Sequence, residues 1–170
     1  IKEDRDMTQR HHRTVVIAVA LAFFAASLFL PAETFVTHVT PDHTAGRVET
    51  MPGWFFAGFG WIGVIFLQPA AMGWLANISF FAAIFSYAEG RHVRSMILSG
   101  ISILIAVVFF RVSVSDPMPV LFTGQADVMN RPKALIGFYV WIAAFVTFFL
   151  GSWVSVSKVV WADAPPTAEE

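Results

Sequence analysis

Three histidine and carboxylate side chains lie close together in the segment THVTPDHT: His38, Asp42 and His43. Two imidazoles and one carboxylate are a ligand set suited to zinc, and zinc held this way can activate water. Their spacing follows no defined zinc motif, so solvated loop residues are the plainer account and an outer-face metal enzyme the sharper one. The other chemically capable residue is Asn77, in GWLANISFF, because an amide inside hydrocarbon needs a partner. It is read either as an interhelical hydrogen bond, the simpler account, or as a contact to a substrate or ion.

Other chemistry is absent by composition. There are no cysteines, which excludes disulfides, thiolate metal sites and thiol catalysis. The chain contains no GxSxG, HExxH, P-loop or GxGxxG. Gly58-Phe59-Gly60-Trp61-Ile62-Gly63 is glycine-rich but lies among aromatics without a lysine, so it is read as a close-packing segment and not a phosphate cradle. The net charge of −1 gives no electrostatic case for nucleic acid. No cofactor is expected.

The elements that must carry these residues are apolar. Of the 170 residues 56% are hydrophobic and only 14% charged, with mean hydropathy +0.66, more apolar surface than one core of this size can bury. A span needs about 20 apolar residues. Runs of that kind occupy 14–30, ended by Pro31; 69–88; 95–112, closed by Arg111; and 134–157. The first resembles a signal peptide at its start, but its length and the poor cleavage site at Ala25-Ala26-Ser27 make it an uncleaved anchor. Met7 follows Ile1 closely, so residues 1–6 are read as a processed or mis-set start without function.

The block Gly53–Gln68 has 16 residues and no charged turn to close a hairpin, so it is read as an aromatic interfacial or re-entrant segment. The expected fold is therefore an all-α polytopic membrane protein with four transmembrane helices and that segment. Residues 1–13 form a cytoplasmic N-terminal segment and 158–170 a disordered cytoplasmic tail. Four spans put seven Lys and Arg on the N-terminal side (2, 5, 10, 13, 91, 94 and 158) against four on the other (47, 111, 131 and 133). Five spans give the same score, so the positive-inside rule places the N-terminus in the cytoplasm without choosing the count.

Apart from Arg111 at the end of the third, the spans carry no charged group, and all five His and all the acidic residues fall outside them. That argues against a haem held between helices or a proton relay, since buried ionisable groups mark such sites. Small residues recur four apart, on one helical face: Ala18, Ala22 and Ala26 on the first span, Ser95 and Ser99 on the third, and Ala143, Thr147, Gly151 and Ser155 on the fourth. Such rows let helices approach closely. Packing within the bundle is the plainer account; docking to a partner protein is the functional one. Phe23, Phe24, Phe80, Phe81, Phe109, Phe110, Phe148 and Phe149 are assigned to outer, lipid-facing surfaces, and Trp141, Trp153 and Trp161 to interface belts.

Gly60-Trp61, Trp74-Leu75-Ala76-Asn77 and Gly137-Phe138-Tyr139-Val140-Trp141 together resemble small four-helix bacterial inner-membrane proteins of unassigned function, over roughly residues 15–155. Here Ile78 follows Asn77 where that pattern has proline. The resemblance implies a four-helix fold in the bacterial cytoplasmic membrane and no activity. The leading expectation is a non-catalytic accessory or structural subunit. Its partners would be integral membrane subunits and lipid, and pigments or cofactors would belong to a partner. A small transporter or channel with a path beside Asn77 and the Gly58–Gly63 segment is the alternative, and the outer-face metal enzyme a third.

Overall fold

The computed structural model describes residues 2–37, 47–67, 69–115 and 133–162. Helix α1 runs from Lys2 to Phe29, and Pro31, which can neither donate a backbone bond nor follow a helical residue easily, starts strand β1 (Pro31–Thr37). Strand β2 (Arg47–Pro52) returns antiparallel to it, from Thr37 opposite Arg47 to Pro31 opposite Pro52. Helix α2 (Gly53–Ile65) follows directly, then a 3₁₀ helix (Pro69–Trp74) that runs into α3 (Leu75–Ala88). Helix α4 spans His92–Ser115, the two-residue strand β3 is Lys133–Ala134, and α5 is Ile136–Ala162.

Four of these helices are long and apolar enough to cross a membrane, over 10–29, 71–88, 92–111 and 136–157. The chain is thus a multi-pass, essentially all-α membrane protein. At 13 residues α2 is about 20 Å long, short of the ~30 Å hydrocarbon core, so it is an apolar segment beside the bundle and not a fifth span. Helix α3 alone is also short. The 3₁₀ helix, rising about 2 Å per residue, supplies the missing length.

Helix α4 packs between α3 and α5, and α5 packs on α1. The core is aromatic. Phe80 of α3 meets Phe145 and Phe148 of α5 with ring centroids 4.8 and 5.7 Å apart, and Tyr87 meets Phe148 edge-on at 5.4 Å. Ala20, Ala83, Ala106 and Ala144 fill the spaces between the rings.

Phe80 and Phe148 therefore correct the lipid-facing assignment: both are fully buried, and Phe24 packs on the core, whereas Phe23 and Phe81 are exposed. Adjacent positions on a helix point about 100° apart, so one ring of a doublet turns in as the other turns out.

Between α1 and α2, residues 31–37 and 47–52 form strands. Their sequences PAETFVT and RVETMP supply β-branched and aromatic residues, and β1 lies between β2 and β3. Glu33 is opposite Met51 on one side and Ala134 on the other. The Leu135 N–H donates to the Ala32 carbonyl (2.8 Å) and the Gly53 N–H to the Leu30 carbonyl (3.0 Å). This small sheet ties together the end of α1 and the starts of α2 and α5. At the far end of the bundle, α3 closes in a Schellman cap: Gly90, at φ +83°, donates to Tyr87, and Arg91 donates to Ser86. Helix α5 continues through 158–162, which corrects the expected start of a disordered tail at residue 158; residues 163–170 lie outside the described residues.

Candidate functional site

Polar side chains inside the spans bond both within and between helices. The Trp141 indole N–H donates to the Asn77 side-chain oxygen at 2.9 Å, joining α5 to α3. Trp141 therefore faces the bundle, whereas Trp153 is exposed. The hydroxyls of Ser95 and Ser152, both fully buried, bond at 3.1 Å between α4 and α5. Ser79 of α3 and Ser102 of α4 both donate to the Leu98 carbonyl, at 2.8 and 3.0 Å. Ser99 donates within α4 to Ser95 and Met96. A hydroxyl bonded to a backbone carbonyl without a neighbouring base has no route to becoming a nucleophile.

One end of the bundle gathers polar groups from all four spanning helices. Tyr87 Oη lies 2.7 Å from Ser155 Oγ, and its ring meets His92 edge-on at 5.1 Å. Arg13 donates through Nη2 to His92 Nε2 at 3.2 Å. Arginine has no acceptor, so Nε2 accepts and the proton of the neutral imidazole sits on Nδ1. That Nδ1 is buried without a hydrogen-bond partner. The Arg13 guanidinium also covers Gly90, where a Cβ would lie 3.4 Å from Nη1. Arg91 pairs with Glu89 at 3.3 Å.

The small-residue rows divide. Ser95 and Ser99 are buried, Gly151 lies against Val16 of α1, and Ser155 bonds to Tyr87, while Ala143 and Thr147 are half-buried on α5. Ala18, Ala22 and Ala26 are all exposed. This corrects packing within the bundle as the account of that row: α1 meets the bundle through Val16, Ile17, Ala20, Phe24 and Ser27, leaving the alanines on the outer side. Sequence reasoning missed Ala144 and Ser152, whose burial only the helix pairing determines.

His38, Asp42 and His43 lie outside the described residues. Among the described residues no three His, Cys, Asp or Glu side chains come together as a metal site would require. In the sheet, burial pushes the Glu33 carboxyl up from its ordinary 4.5 to about 7.

The apolar segment α2 presents Trp54, Phe55, Phe59 and Trp61 outward. It is held by the Trp74 indole, which donates to the Ala57 carbonyl at 2.9 Å and lies over Gly60, where a Cβ would come within 2.7 Å of the ring. Gly60 thus permits a close approach, the role its sequence context implies.

Comparison with protein-family models, curated proteins and solved structures finds no match. The geometry defines a multi-pass helical membrane protein whose internal polar groups serve packing, with an unpaired small-residue face on α1.

Proposed function

We propose that this protein is a non-catalytic accessory or structural subunit of a larger assembly in the bacterial cytoplasmic membrane, with its N-terminus in the cytoplasm. The observation that carries this reading is the outward position of Ala18, Ala22 and Ala26. Without a hydrophobic drive between helices in lipid, close van der Waals approach over small residues is a main source of helix association. This row is not used by the protein's own bundle, and an integral membrane partner would use it. The resemblance to small four-helix inner-membrane proteins and the excess of Lys and Arg on the N-terminal side are consistent with this location and orientation. The transporter reading loses its main feature, because the Asn77 oxygen is already bonded to Trp141.

The chain has no cysteine, so Ala22→Cys introduces a single thiol on this face. Cross-linking in native membranes should then yield an adduct with a different membrane protein, whereas Leu104→Cys, on an exposed face of α4, should not. An adduct at only twice 18.8 kDa, or equal labelling from both positions, contradicts the proposal.

A further inference from the structure

At the basic end of the bundle, an open groove of about 630 Å³ runs between α4 and α5. Its walls include Val93, Ile97 and Leu98 from α4 and Val156 from α5, with Arg91 and Arg94 also lining it. A groove of this size suits a small ligand, and its apolar walls suit a hydrocarbon chain. The exposed side chains of Arg94 and of Arg91, which also pairs with Glu89 at 3.3 Å, bring positive charge to the start of α4. The backbone N–H groups of His92, Val93 and Arg94 precede the first hydrogen bond at this helix end, Ser95 to Arg91 at 3.0 Å, so they too favour an anion. His92 lines the same groove. An apolar channel with donors and cations at the membrane-surface end has the complementary pattern of an anionic phospholipid.

We propose that this groove binds one anionic phospholipid, with an acyl chain along Ile97, Leu98 and Val156 and the phosphate held by Arg91, Arg94 and the first turn of α4. The site is independent of the accessory-subunit reading and exists in the isolated chain. The choice of a lipid over a free phosphate rests on the apolar walls, which inorganic phosphate does not use.

Native mass spectrometry of the full chain in mild detergent tests this, with phosphatidylglycerol, phosphatidylcholine and inorganic phosphate titrated separately. Phosphatidylglycerol should bind more tightly than phosphatidylcholine. The double variant Arg91→Gln/Arg94→Gln should weaken phosphatidylglycerol by about 25-fold, a factor of about five per arginine near a charged lipid surface, and leave phosphatidylcholine unchanged. Ile97→Trp, which obstructs the groove without removing charge, should also reduce phosphatidylglycerol binding. These positions are exposed, so thermal unfolding of each variant should match the parent. Equal binding of the two lipids, or undiminished phosphatidylglycerol binding in either variant, overturns the proposal. Inorganic phosphate binding as tightly as phosphatidylglycerol assigns the cations to a free anion and also overturns it.

Discussion

The Asn77–Trp141 pair fixes how α3 meets α5, because a buried indole N–H without an acceptor is costly. Asn77→Ala should lower stability by about 1 kcal/mol, and a double-mutant cycle with Trp141→Phe should give a coupling of about 0.6–1.7 kcal/mol, measured by unfolding in detergent. Additive single effects would show that the bond contributes nothing.

Glu33 makes a different prediction. Its folded-state value of about 7 lies above the ordinary 4.5, so between those values the native protein holds a proton that the unfolded chain has released. Its contribution is full below about pH 4.5 and is lost as the pH rises through 7. The melting temperature should therefore fall from pH 5 to pH 8, and Glu33→Gln should flatten that dependence; an identical slope in the variant contradicts the assignment.

At this scale the sequence is only partly legible. Asn77 stands out as an amide in an apolar run, but its partner Trp141, 64 residues on, does not. The orientation of Phe80 against Phe81, and of the Ala18 row against Ala20, is hidden for a physical reason. Lipid is as apolar as the bundle interior, so apolar residues occur on both sides of a spanning helix and no hydrophobic periodicity marks the inner one.

Among the elements, the long helices follow directly from the lengths of the apolar runs, and Pro31 sets the end of α1. The sheet does not follow so directly, since β3 has two residues and joins β1 across about 100 positions of chain. Its junctions depend on glycine. A Cβ at Gly137 would lie 2.8 Å from the Leu30 and Pro31 carbonyl oxygens, and backbone there has little room to move. Gly58, in α2, has nothing within 4 Å of such a Cβ. Gly137→Ala should therefore cost about 1–3 kcal/mol from overpacking. Gly58→Ala should stabilise by up to ~1 kcal/mol through helix propensity. Thermal unfolding of both variants checks the pair, and a reversed order would contradict the junction at the sheet. The 3₁₀ helix before α3 is likewise a device of length: it lets a 14-residue helix reach across a membrane where Pro69 forbids one continuous α-helix through Gln68 and Pro69.

As a whole molecule, the protein places the three strands of the described residues at one end of the bundle, and at the other a network from Arg13 through His92 and Tyr87 to Ser155 that touches α1, α3, α4 and α5. Between these ends the polar side-chain contacts of the described residues join the protein to itself. The outer surface carries an alanine row on α1 and the aromatic side of α2. On the proposed reading, these outer faces are where a partner associates. The composition of the particle purified from native membranes in a mild detergent tests that claim most directly. Stoichiometric co-purification of a different integral membrane protein is expected, with the association weakened by Ala22→Trp on the outer face of α1. A particle containing only multiples of 18.8 kDa would contradict it.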